Sequence, residues 1–395
     1  MLPESAPSLN RQLLRLIVVQ VCIHSCMTGS RMAAPLLALK QGYSQSAVGV
    51  LIALFALTQV FFALPAGRYA DRHTLRQPVT FSVVLTIIGT GLAAIWPVFP
   101  VLCLTALLCG GATGSALIAL QRHVGRLAGN RVELQKVFSW MAIGLSAGSF
   151  IGPFCTGFII DHGGYQAAFV AMTLLPLASW FLVRGTPELP LPPALPDASP
   201  TRAWDLLNNP QMRRLLIINW LLASCWAVHN LALPVLGHER GLSASVVGSI
   251  LGAFSLATSV IRILLPLIAK RVAEYRVILV AMLSTGLWFA IYPFLPTPLL
   301  MGLCSVLLGF SLGSVQPMIL STLHQITPEH RQGEALGLRM MTVNASSFVM
   351  PMLFGSIGAI VGLSGLFWGI GSGVALGSRL AARLKPDKPA NQPEI

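Results

Sequence analysis

Long apolar runs broken by short polar or basic loops recur along the whole chain. Runs of roughly 17 to 25 residues cross a bilayer as helix, and such runs fall at 13–38, 46–66, 78–96, 99–120, 136–160 and 165–184. A second set falls at 213–236, 244–266, 277–294, 299–322, 335–359 and 362–380. The pattern predicts an all-α membrane protein with twelve transmembrane helices, six in each half. Between the halves, Pro187, Pro190, Pro192, Pro193, Pro196 and Pro200 favour extended, polyproline-like chain over helix. The expected organisation is therefore a bundle over 1–184, a linker over 185–211 and a second bundle over 212–395.

The two halves repeat each other. Residues 35–72 align without a gap onto 234–271 at an offset of 199, with eleven identities. These are Pro35/Pro234, Leu37/Leu236, Gly42/Gly241, Ser44/Ser243, Ser46/Ser245, Val48/Val247, Gly49/Gly248, Phe55/Phe254, Leu57/Leu256, Ala70/Ala269 and Arg72/Arg271. The register continues in Gly110/Gly309, Gly114/Gly313 and Ser115/Ser314, then slips by one residue to give Pro153/Pro351, Gly157/Gly355, Gly164/Gly362 and Phe169/Phe367. Similar halves in a membrane commonly enclose a central pathway, which points towards transport.

Composition agrees with this reading. At 54% hydrophobic and 10% charged residues, with a mean hydropathy of +0.73, the chain has too little polar surface for a soluble globule of its length. Arginine and lysine gather in alternate loops. Only Lys40 and Arg240 fall in loops on the opposite side, and Arg31, Arg262 and Arg339 fall within spans. The positive-inside rule then places both termini in the cytoplasm, in a membrane expected to be a bacterial inner membrane. The formal charge of +13 follows from this bias, with anionic lipid headgroups as its partners and no nucleic acid needed. The seven cysteines lie within apolar spans and lack metal-ligand spacing, so no metal or disulfide is expected. Glu4 and the absence of a small-residue cleavage site predict an uncleaved first span. The short loops leave no room for a soluble catalytic domain; the expectation is a monomeric membrane protein that is not an enzyme.

The loop after the second span reads Gly67-Arg68-Tyr69-Ala70-Asp71-Arg72-His73-Thr74-Leu75-Arg76. It resembles the signature of the major facilitator superfamily, Gly-x-Leu-Ala-Asp-Arg-x-Gly-Arg-Arg, at Gly67, Ala70, Asp71, Arg72 and Arg76; Tyr69, Thr74 and Leu75 depart. A carboxylate beside guanidiniums forms charge-assisted bonds that break when two bundles rock apart. The resemblance implies that Gly67, Asp71, Arg72 and Arg76 form a conformational latch. At the equivalent site of the second half Asp71 becomes Lys270, so the latch is asymmetric. In span five, Gly144, Gly148, Gly152, Pro153 and Gly157 carry small residues at four-residue spacing around a proline, a helix-packing motif. This element is similar to one in the family's drug-proton antiporter branch, although Cys155 and Thr156 stand where that branch has paired glycines.

Ionisable and amide side chains in the bilayer core are costly, which makes each a candidate for the substrate pathway. Gln20, His24 and Arg31 form one stripe on span one, and Asn219, Trp226 and Asn230 form another on span seven. Gln59, Gln316 and Asn344 are further candidates to line the pathway, whereas His229 points to neighbouring helices. Arg262 and Arg339 lie near the cytoplasmic ends of their spans and are read as snorkelling residues, Arg339 alternatively pairing with Glu334. No acidic residue lies in the middle of a span, which disfavours a carboxylate-driven cation antiporter. Ala106 and Cys109-Gly110 also replace the branch's span-four arginine and Gln-Gly pair. No cofactor is expected; if protons couple, His24 is the best-placed carrier.

The resemblance and the stripes together imply a secondary transporter of a small amphipathic or anionic molecule, working by alternating access and favouring export. Import of a nutrient, organic acid or iron chelate is the second reading. A non-transporting membrane sensor or assembly factor is a third.

Overall fold

The computed structural model describes residues 9–191, 202–242, 244–268 and 273–384. Glu4, linker residues 192–201, Ser243, Lys270, Arg271 and the chain from Lys385 onward lie outside the described residues. The ten long helices are α1 (Leu9–Lys40), α2 (Gln45–Arg72), α3 (Arg76–Ile95), α4 (Phe99–Leu127), α5 (Arg131–Arg184), α6 (Pro210–Glu239), α7 (Ala244–Ile268), α8 (Glu274–Ile291), α9 (Pro298–Ile326) and α10 (Gln332–Ala382). Each of α5 and α10 contains two of the expected spans, joined at Gly164 (φ 78°) and Gly362 (φ 70°) with no loop between. The twelve spans are thus twelve helical segments.

Polar residues set the helix boundaries. Ser44 Oγ accepts from Ala47 N (3.2 Å), Asn130 Oδ1 from Glu133 N (3.0 Å) and Thr297 Oγ1 from Leu300 N (3.4 Å), each satisfying a first-turn donor. Within the spans, hydroxyls bond back to their own helix. Ser82, Thr86 and Thr90 donate to the carbonyls of Pro78, Ser82 and Thr86 at 2.8 Å each, so α3 buries them without a stranded donor.

The sequence repeat reappears as repeated packing. In the first half α1 packs on α5, α2 on α4, and α3 on α4 and α5; in the second, α6 packs on α10, α7 on α9, and α8 on α9 and α10. Gly110 lets α4 approach the carbonyl of Phe55, and its repeat mate Gly309 lets α9 approach the carbonyl of Phe254; a Cβ at either would collide with that backbone. The four described glycines at positive φ are the repeat pairs Gly42/Gly241 and Gly164/Gly362. The chain therefore turns at matching points in both halves. In α5, a Cβ on Gly144, Gly148 or Gly152 would meet Ile17, His24 or Ser25 and Thr28 of α1, so this glycine row is the seam between the two helices.

Candidate functional site

A cavity of about 1050 Å³ lies between the halves. The first half supplies His24 of α1 and Ile143, Leu145, Ser146, Ala147, Ser149 and Phe150 of α5 to its wall; α6, α7, α9 and α10 supply the rest. Arg262 is 5% exposed and is held at four points. Its Nη1 donates to Ala142 O (3.1 Å) and to Ser146 Oγ across the interface, Nε to Gly313 O (3.4 Å) and Nη2 to Gln316 Oε1 (3.2 Å). Its Cζ lies 5.9 Å from the centre of the Trp226 ring, which stands edge-on to Phe254. Arg339, on α10, is 6% exposed, and its Nε is buried without a hydrogen-bond partner. Among the described residues, no aspartate or glutamate lines the cavity. Among the described residues, no ion pair within 4 Å reaches either arginine.

The candidate pathway residues divide. His24, Asn219, Trp226 and Gln316 line the cavity. His24 Nε2 lies 2.9 Å from Ser149 Oγ, and Asn219 Nδ2 donates to Thr342 Oγ1 at 2.8 Å. Gln20 is buried in the α1–α5 seam, donating to Met141 O at 2.9 Å. Gln59 packs beside Gly114, and Asn344 Nδ2 is buried without a partner; neither lines the cavity. Arg31 and Asn230 are exposed and lie beyond it. Arg31 is seven residues past His24, hence two turns along the same face. Arg262 and Arg339, read from sequence as snorkelling, instead face the interior. A signal was present: Arg262 stands where the repeat has Ala63, an apolar position in one half and a cation in the other. Glu334 is no partner of Arg339; it pairs with Arg68 and Arg331.

Below the cavity, towards the end rich in arginine, the halves are sealed. Asp71 sits over the first turn of α10, with Oδ1 accepting from Gly333 N (2.8 Å) and Oδ2 from Glu334 N (2.9 Å). Arg122 Nε donates to Asp71 Oδ1 at 2.8 Å, and both side chains are buried. An aspartate of one half thus caps a helix of the other, where the helix dipole favours an anion. Gly67 and Gly333 meet so closely that a Cβ on either would strike the other's carbonyl. Arg68 pairs with Glu334 (2.9 Å), Arg126 with Glu329 (2.7 Å) and Arg131 with the buried Glu274. Glu274 also accepts from Ser321 Oγ (2.9 Å) and Gln325 Nε2 (2.8 Å). Of the other two latch candidates, Arg76 turns away to Thr186 O (3.2 Å) and Glu188 (3.7 Å), and Arg72 is exposed. The sequence pointed to neither Arg122 nor Glu274 as a partner.

Two six-helix bundles around a cavity sealed at one end define a membrane transporter, not an enzyme. The family model of the Major Facilitator Superfamily matches residues 16–298 and 215–395, and the chain belongs to that superfamily. It is 24% identical to the multidrug resistance protein MdtG of Klebsiella pneumoniae over 86% of this chain and 85% of that one. It is 26% identical to the class B tetracycline resistance protein of Escherichia coli (78% of each chain) and 26% to the enterobactin exporter EntS of Citrobacter koseri (80% and 77%). Among solved structures, a bacterial homologue of the iron transporter ferroportin in an outward-facing state superposes with a TM-score of 0.80 at 15% identity, covering 95% of this chain and 99% of that one. The human organic anion transporter MFSD10 superposes with a TM-score of 0.79 at 16% identity, covering 95% and 100%. At these identities the likeness is one of fold.

Proposed function

We propose that the protein is a secondary transporter that exports a small amphipathic or anionic molecule by alternating access. The observation that carries this reading is the cavity between the halves, with two buried arginines, a largely apolar wall and, among the described residues, no carboxylate. The positive-inside rule makes the arginine-rich end cytoplasmic, so the state described faces outward. Export is favoured by the relatives named for drug resistance and enterobactin export. In this scheme Asp71 holds the cytoplasmic end shut by capping α10, and opening requires its bonds to Gly333 and Glu334 to break. Arg31, two turns beyond His24, stands at the mouth and attracts anions. His24 is the titratable cavity group that serves proton coupling, and no other cofactor is needed.

The test is a single cysteine at Ser347 in the cavity wall, probed with an impermeant thiol reagent in oriented vesicles. Before this, the seven native cysteines would be replaced. Labelling from each face in turn, with the balance moved by an exported compound, is the expected result. Access from one face under every condition would reject alternating access and favour a non-transporting role.

A further inference from the structure

The cavity is graded along its depth. Arg262 lies about two turns before α7 ends at the sealed face, and Arg339 about two turns after α10 begins there. Both cations therefore sit at the floor. Asn219 begins the lining stretch of α6 at the same end, and on α9 Gln316 lies about one turn further from the sealed face than Ile319. Further from the sealed face the wall carries large apolar side chains, Leu256 on α7, Val343 on α10, Leu222 and Trp226 on α6, and Leu312 on α9, interleaved with the uncharged hydroxyls of Ser255, Ser259 and Ser347. Phe150 on α5 is another such apolar side chain. A cationic floor beneath a wall that is mostly apolar and carries no negative charge among the described residues has the polarity of an amphiphile with one anionic end.

The two arginines differ in their readiness. Arg262 has protein partners on both halves, so it is oriented before any ligand arrives. Arg339 has none at its Nε and faces the same space. A buried guanidinium left unpaired is costly, and a planar two-oxygen anion is the group that best satisfies it. Resting on the transport reading above, we infer that the site takes amphipathic organic anions head-first, a carboxylate or similar oxyanion between Arg339 and Arg262 and an apolar or aromatic body against Trp226 and Phe150. Arg339 is then the residue that selects for negative charge, and Arg262 one whose ties to α5 the anion also draws upon.

The test uses the full-length purified protein and three probes with one shared body: 1-naphthaleneacetate, its amide, and 1-naphthylethylamine, with binding followed by tryptophan fluorescence and calorimetry. The acid is expected to bind at least about tenfold more tightly than the amide or the amine. Arg339→Gln should remove that preference while leaving the amide within about twofold, because one charge is lost and the apolar wall is untouched. Val343→Glu, one turn away on the same face, keeps the arginine and pairs it internally; it should abolish acid binding even if Arg339→Gln folds poorly. Absence of saturable acid binding, equal binding of the three probes, or acid binding unchanged in both variants would overturn the inference. Flux is read separately in proteoliposomes. Arginine-dependent acid binding without flux would leave the site standing and reject transport; flux of the amine without acid binding would do the reverse.

Discussion

Asp71 and Glu334 belong to opposite halves of the molecule, and the backbone N–H of Glu334 donates to Asp71 Oδ2 at 2.9 Å. With Gly333 N and Arg122 on Oδ1, one carboxylate gathers a helix terminus and a guanidinium that an opening motion would pull apart. The sealed end is therefore a set of specific bonds that can be weakened one at a time.

Removing the Asp71 charge weakens closure. Asp71→Asn keeps the shape but removes the charge and turns one accepting oxygen into a donor, so at least one of the bonds from Gly333 N, Glu334 N and Arg122 is lost outright, an effect of about 1–3 kcal/mol. Spin labels at the exposed positions 72 and 330 should report a longer-distance population that is absent or minor in the wild type. An unchanged distance distribution would show that the cap does not hold the end shut.

Sterics act at the same place without touching charge. Gly333→Val puts a Cβ onto Gly67 O and the Asp71 carboxylate. The same label pair should shift outward as in Asp71→Asn, with salt bridges elsewhere intact. Closure at wild-type distance would mean that the backbones can part and still seal.

Close helix approach in α5 predicts a stability contrast. Gly152→Leu meets Ser25 and Thr28 of α1 and should cost about 1–3 kcal/mol or more. Gly91→Leu, which meets nothing within 4 Å, should leave the melting temperature near that of the wild type. Equal melting temperatures for the two variants would argue against a tight α1–α5 seam.

Arg262 ties α7 to α5, so Ser146→Ala should loosen the halves. A hydrogen bond to a charged group contributes about 1.5–3 kcal/mol. A double-mutant cycle with Arg262→Gln, read as the population open at the arginine-rich end, should show that the effect of Ser146→Ala vanishes once the arginine is gone. Additive effects would place Ser146 outside this interaction.

Arg31 sits beyond the cavity, so its charge acts on encounter and not on the bound state. Arg31→Gln should slow capture of 1-naphthaleneacetate at low salt, with the difference shrinking as ionic strength rises and dissociation unchanged. Stopped-flow quenching measures both rates; a change confined to dissociation would move Arg31 into the binding site.

Much of the architecture was legible in the residues because bilayer physics acts on segments. Every span must satisfy its own backbone bonds and be apolar along its length, so twelve runs and their repeat can be counted from the chain alone. Turn chemistry is equally local: Gly42, Gly164, Gly241 and Gly362 mark the reversals because only a residue without a Cβ adopts positive φ freely.

The pairing of faces is not local, and tertiary structure decided it. Periodicity placed Gln20, His24 and Arg31 on one stripe of α1, yet Gln20 is buried under α5, His24 faces the cavity and Arg31 is exposed beyond it, because α5 covers the stripe along only part of its length. Arg262 and Arg339 sit near helix ends, where a chain read in isolation sends a cation to the headgroups. The facing helices instead bury both, 5% and 6% exposed, since a helix wheel fixes a side chain's direction on its own helix but not the partner that lies there. Sequence alone determined that this chain crosses the membrane as two similar bundles. Only the packing of one bundle against the other decided which charges seal it and which face the space between.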